Sequence, residues 1–163
     1  MRGTGETKSA AAIRIGVISD THGLLRPEAV AALSAVDHIL HAGDVGDPAI
    51  LDRLRAISPL TAIRGNIDED GPCSSLPSTE IVELGGVTFY MLHSVAELDL
   101  DPVAAGFAGV ISGHSHKPLI ERRKGVLYFN PGSAGPRRFS LPVSLGILTV
   151  RDSALHPELV TLL

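Results

Sequence analysis

Four short segments of this chain carry residue types that bind divalent metals: Asp20-Thr21-His22, Gly43-Asp44, Gly65-Asn66 and Gly113-His114-Ser115-His116. Each follows an apolar run that reads as a strand: IRIGVIS, HILHA, LTAIR and FAGVIS in turn. A fifth candidate, His93, closes the run TFYML. One histidine alone says little. An ordered series of carboxylates, an amide oxygen and imidazoles at strand ends says more, because strand ends in an α/β sheet converge on the edge where such folds place their sites. That mixed nitrogen and oxygen donor set suits a pair of divalent metals, with manganese, iron, zinc or nickel fitting better than magnesium or calcium.

The elements that must position these residues are legible in outline. Residues 13 to 19 form a buried strand ended by Asp20. Pro27 to Ala35 has helical spacing with proline in the first turn. A strand over 38 to 42 follows, then a helix from the Asp47-Pro48 cap to about Arg55, then a strand over 60 to 64. This alternation predicts a largely parallel sheet. The second half reads as hairpins: 79 to 84 with 87 to 92 across Gly85-Gly86, 119 to 122 with 126 to 129, and 144 to 150 with 155 to 162. A short helix is expected near Pro102 to Gly106. The expected result is two sheets packed together with helices outside.

The 163 residues fit one domain, read as 13–163, behind a polar tail over 1–12. The formal charge of −4 gives no overall basic field for nucleic acid. No apolar run approaches the roughly 20 residues that span a bilayer. The start MRGTGETKSAAA has no apolar core of a secretory signal, so a cytoplasmic location is expected. The single cysteine, Cys73, fits a reducing compartment, and no motif places a base beside it. Self-association is left open by the exposed hairpin edges.

The ordered set D-T-H at 20 to 22, G-D at 43 to 44, G-N-I-D at 65 to 68, His93, G-H-S-H at 113 to 116 and N-P-G-S at 130 to 133 resembles the calcineurin-like metallophosphoesterases, closest to their small bacterial and archaeal phosphodiesterase branch. The resemblance implies a four-layer α/β/β/α sandwich of two mixed sheets flanked by helices. It implies that Asp20, His22, Asp44 and His116 hold one metal and that Asp44, Asn66, His93 and His114 hold the other, with Asp44 bridging. Manganese is the first expectation, with iron, zinc or nickel as alternatives. The implied activity is hydrolysis of a phosphate ester, a diester first, by a hydroxide bridging the metals. Asn66 and Asp68 are the candidate catalytic residues; Asp68 either orients a ligand or water or caps a turn. Arg137 and Arg138 are candidate substrate contacts through their forked donors.

The chain departs from the family pattern in two places. Ile67 stands where many relatives have a histidine that serves the leaving group. His93-Ser94-Val95 stands where relatives often read H-G-H. Two rival functions follow: a phosphomonoesterase of the same fold, and a non-catalytic interaction scaffold like a eukaryotic retromer subunit that has lost part of the ligand set. His41 reads as a structural histidine, and His38 and His156 as surface groups. Arg122, Arg123 and Lys124 read as a solvated face. Specificity is expected in the loops 69 to 78 and 94 to 101.

Overall fold

The computed structural model describes residues 12–163. The tail expected over 1–12 lies outside the described residues, apart from Ala12, which already opens strand β1 (Ala12–Ile18). The first sheet adds β2 (His38–His41), β3 (Leu60–Ala62), β9 (Ser144–Arg151) and β10 (Ala154–Thr161), in the order β10-β9-β1-β2-β3. β1, β2 and β3 run parallel, and the β9–β10 hairpin adds antiparallel to β1. The second sheet holds β4 (Thr79–Leu84), β5 (Val87–Leu92), β6 (Gly109–Ile111), β7 (Leu119–Arg123) and β8 (Val126–Asn130), in the order β4-β5-β6-β8-β7. Here too the centre is parallel and the edges are hairpin partners. Both sheets are therefore mixed.

Three apolar layers hold the sandwich. Ile15, Val17 and Leu40 of the first sheet pack on Phe89, Met91, Ile111 and Phe129 of the second. On the outer face of the first sheet, helices α1 (Pro27–Ala32) and α2 (Pro48–Arg55) bury Ala29, Ile50, Leu51 and Leu54. Asp47 caps α2 by accepting a hydrogen bond from the Ala49 N–H at 2.9 Å, and Pro48 occupies the first turn, where a missing N–H costs nothing. The outer face of the second sheet, built on Tyr90, Val110 and Tyr128, is covered by Leu98, Leu100, Phe107 and the four-residue helix α3 (Pro102–Ala105). The layer order is α/β/β/α, with a thin fourth layer. Arg122 also ties the two sheets, donating to the Leu155 carbonyl at 2.8 Å.

Two elements stop two or more residues short of their expected ends, for local reasons. α1 ends at Ala32 because the chain tightens there: the Ser34 N–H bonds to Ala31 O, three residues back. β3 ends at Ala62 because the Arg64 N–H turns away to the Pro77 carbonyl, and the chain bends toward Asn66.

Candidate metal centre

The parallel strands β1, β2 and β3 end on one edge, and β5 and β6 end beside them across the sandwich. Backbone hydrogen bonds lock these ends together. The Asp20 N–H reaches Gly43 O, the His22 N–H reaches Asp44 O and the Gly113 N–H reaches His93 O, each at 2.9 Å. The loops are bent hard. Asp20, His22, Asp44, His114 and His116 all hold positive φ, at 57°, 46°, 58°, 73° and 63°. Such backbone is costly for residues with a Cβ and persists where surrounding structure enforces it, which is characteristic of functional sites. Close approach is made possible by glycines. A Cβ at Gly65 would overlap the Asp44 carboxylate, and one at Gly113 would overlap Ser19 Oγ and lie 2.6 Å from Asp20 Oδ2.

Asp20, Asp44 and His93 share a pattern: one end is held by a protein hydrogen bond and the other faces the cluster. Asp20 Oδ2 accepts from Ser19 Oγ at 2.6 Å and from the His114 N–H at 3.1 Å, while buried Oδ1 has no hydrogen-bond partner. Asp44 Oδ1 accepts from the Ile67 N–H at 3.1 Å. Its Oδ2 stands 3.4 Å from His22 Nε2 and 3.2 Å from His93 Nε2, between one histidine of each expected ligand set. The His93 Nδ1–H donates to the Ala42 carbonyl at 2.7 Å, which directs the lone pair of Nε2 inward. His116 Nε2 lies 3.3 Å from Asp20 Oδ1. Burial opposes ionisation of Asp20, but His116, His22 and His93 outweigh it and hold the carboxyl well below the usual carboxylate range. Burial alone would lower the pKa of His93; Asp44, Asp20 and the Ala42 carbonyl outweigh it and raise the value.

Buried polar atoms without partners are expensive. Asp20 Oδ1, His22 Nε2 and His93 Nε2 are three such atoms at one point. Asp20, His22 and His116 form one cluster whose ligand atoms lie within 4.8 Å of one another, and Asp20, Asp44 and His93 form a second. The donor set and the orphaned atoms fit divalent cations. Both clusters include Asp20, so Asp20 as well as Asp44 has access to each. His114 sits edge-on to His93 with ring centroids 5.2 Å apart, and His22 pairs with His116 at 5.3 Å. His114 lies outside the two tight clusters, and both it and Asn66 line the same cavity as His93.

Other residues hold the framework. Both oxygens of Asp68, 1% exposed, accept backbone N–H groups: Oδ2 from Val45 at 3.0 Å and Gly65 at 2.9 Å, and Oδ1 from Gly46 at 3.0 Å. Asp68 therefore ties the loop that carries Asp44 to the loop that carries Asn66. His41 is fully satisfied. Its Nδ1 accepts from the Gly43 N–H at 3.1 Å, and its Nε2 bonds Thr21 Oγ1 at 3.0 Å. Burial pushes its pKa down to about 4, so it is a neutral structural group. His38 is half-buried and bonds Thr61 at 2.9 Å, whereas His156 is exposed. Asn130 donates to Gly113 O at 2.9 Å and accepts from the Gly132 N–H at 2.9 Å, and Ser133 Oγ donates to Asp20 O at 3.0 Å. The N-P-G-S loop thus supports two of the ligand loops. Cys73 is buried, and burial pushes its thiol pKa up, as expected of an inert cysteine.

Two cavities adjoin the cluster. A smaller one, about 190 Å³, is walled by His22, His116, Pro136, Arg137 and Arg138. A larger one, about 420 Å³, is walled by Asn66, His93 and His114 with Arg64, Glu69, Tyr90, Glu97 and Asp99 among others. The structure therefore brings Arg137 and Arg138 to the histidine cluster. Sequence reasoning missed Arg64, Tyr90, Glu97 and Asp99. The one usable signal was the position of the last two in a loop flagged for specificity.

A sequence model described as the calcineurin-like phosphoesterase superfamily domain matches residues 13–153. A probable metallophosphoesterase of Methanocaldococcus jannaschii is 37% identical over 151 residues, covering 85% of this chain and 76% of that protein. A solved structure described as a novel archaeal phosphodiesterase superposes with a TM-score of 0.75 at 22% identity, covering 91% of this chain and 100% of the other. Vps29 of Entamoeba histolytica complexed with zinc superposes with a TM-score of 0.71 at 21% identity, covering 93% of this chain and 100% of the other. The chain belongs to the calcineurin-like phosphoesterase superfamily.

Proposed function

We propose that this protein is a phosphodiesterase that works with two divalent metals, manganese being the first candidate. The observation that carries the reading is the set of pre-oriented, unpartnered ligand atoms on Asp20, His22 and His93, with Asp44 and His116 beside them. Asp20, His22, Asp44 and His116 are assigned to one ion, and Asp44, Asn66, His93 and His114 to the other. Bound divalent ions at such a centre lower the pKa of water and neutralise charge on a phosphoryl group.

The chain's own groups do the rest. Asp68 and Ser19 hold the ligand loops so that little reorganises during reaction. Arg137 and Arg138 offer forked donors to the non-bridging phosphoryl oxygens. The oxygen of water joins phosphorus, one ester P–O bond breaks, and the departing oxygen takes up a proton from water. Ile67 supplies no proton, so rates are expected to depend on how well the departing alcohol leaves unaided.

The diester is favoured over the monoester because each histidine pair walls its own cavity, giving room for two ester arms. The fold neighbour described as an archaeal phosphodiesterase agrees with this choice. The test compares bis(p-nitrophenyl) phosphate with p-nitrophenyl phosphate on manganese-loaded protein. The diester is expected to be favoured by about tenfold or more in kcat/KM. A preference for the monoester would move the assignment to a phosphomonoesterase. No turnover of either by folded, metal-loaded protein would favour the scaffold reading.

A further inference from the structure

Arg26 breaks a local rule. It is the N-cap of α1, a position that favours Ser, Thr, Asp or Asn because their side chains accept a backbone N–H. A guanidinium has no acceptor, and the Arg26 side chain makes no capping hydrogen bond. Its positive charge also stands at the helix end that favours negative charge. The side chain is used elsewhere. Arg26 Nε and Nη2 both donate to the Gly135 carbonyl, each at 3.2 Å, across 109 residues of sequence.

Gly135 is where the framework stops. Just before it, the chain is fastened to the first ligand turn: Ser133 Oγ donates to Asp20 O and the Ala134 N–H donates to Ser19 O, each at 3.0 Å. A Cβ at Gly135 would overlap the Thr21 carbonyl and lie 2.6 Å from the Asp20 carbonyl. Gly135 is buried, whereas residues 136–140 are all exposed. Arg137 and Arg138 lie in that exposed stretch and wall the smaller cavity beside His22 and His116. Among the described residues, Arg26 is the last side chain to hydrogen-bond this loop before the two arginines, and it is not part of the cavity wall.

Exposed arginines must be ordered when they clamp a phosphoryl group, and that ordering subtracts from affinity. Holding the Gly135 carbonyl fixes the start of the stretch two residues before Arg137 and lowers that cost. Hydrogen bonds from a charged donor are stronger than neutral ones, so the hold is firm. We infer that Arg26 is a positioning residue: it sets where Arg137 and Arg138 stand, and so tightens binding of the substrate phosphoryl group without touching it. This inference rests on the phosphodiesterase reading and its two arginine contacts, and adds a residue to the same site.

The test reads kcat and KM for bis(p-nitrophenyl) phosphate, and affinity for inorganic phosphate by calorimetry, on manganese-loaded protein. Arg26→Met removes the donors and keeps an apolar stem. It is expected to raise KM and weaken phosphate binding by about tenfold, with kcat and manganese affinity within about twofold of wild type. Arg26→Lys keeps one charged donor, so its losses should be about threefold, and it carries the test if the methionine variant does not fold. In an Arg137→Ala/Arg138→Ala background, Arg26→Met should add nothing, as expected of residues that act as one unit. Unchanged KM and phosphate affinity in the folded Arg26 variants overturn the inference. So does a further loss of about tenfold in the background without the two arginines, or a background that itself keeps wild-type KM and phosphate affinity. A parallel fall in manganese affinity also overturns it, because Arg26 would then act through the Asp20–His22 turn. In each of these cases, turnover by wild type leaves the phosphodiesterase reading intact. Phosphate binding that depends on Arg26, in a protein that cleaves no diester, would sink that reading alone.

Discussion

Asp20, Asp44 and His93, three candidate ligands, are side chains with two polar ends, and the protein occupies one of them. Ser19 Oγ and the His114 N–H take Asp20 Oδ2, leaving Oδ1 free. Ser19→Ala removes the shorter of those bonds without touching a ligand. It should weaken manganese binding by on the order of 10–100-fold with little change in melting temperature. Calorimetric titration checks this, and unchanged affinity would show that Asp20 needs no such support. His41 makes a different prediction. Its folded pKa of about 4 lies below the ordinary 6.5, so between those values the unfolded chain binds the extra proton. Stability from this residue is present above pH 6.5 and is lost as pH falls toward 4, by about 3 kcal/mol. Urea melts of metal-free wild type and His41→Asn at pH 7 and pH 4.5 should show the smaller pH loss in the variant. Equal losses would mean that His41 is not held neutral.

At the scale of elements, the centre depends on loops that pass one another at van der Waals distance. Gly65 has ordinary negative φ, −103°, so Gly65→Ala tests contact alone: its Cβ would overlap the Asp44 carboxylate and lie 2.5 Å from the Asp44 nitrogen. The variant should lose metal affinity by about tenfold or more, with overpacking costing about 1–3 kcal/mol of stability. Gly71→Ala, in the same loop but with its nearest neighbour at 3.4 Å, should retain affinity. Equal behaviour of the two in a metal titration would contradict the tight-loop account.

The same contrast explains what the sequence could reveal. Asp20, His22, Asp44, His93 and His116 were legible because each ends an apolar run, and strand ends converge whatever lies between them. The parallel centre and the hairpins were legible from alternation and turn residues. Tyr90 was not, because it lies inside a β5 run where it reads as core, which in part it is. Glu97 and Asp99 were not, because a loop carries no periodicity to say which way it folds. Nor could spacing show that Asp68 spends both oxygens on backbone amides, since that depends on two loops meeting.

Across the whole molecule, the two sheets bring different material to the shared edge. The first contributes Asp20, His22, Asp44 and Asn66, and the second contributes His93, His114 and His116. Among the described residues, no helix is long and apolar enough to cross a membrane. The interlayer core around Phe89, Met91 and Phe129 fixes the spacing of the two halves of the site. The most direct test of the account is a manganese titration of metal-stripped protein, followed in parallel by calorimetry and by hydrolysis of bis(p-nitrophenyl) phosphate, with Asp44→Asn as the control. The account predicts that activity is absent from stripped protein, rises to a plateau at about two equivalents, and stays near background in the control. Full activity at one equivalent, or equal turnover in stripped and loaded protein, would contradict a two-metal phosphodiesterase.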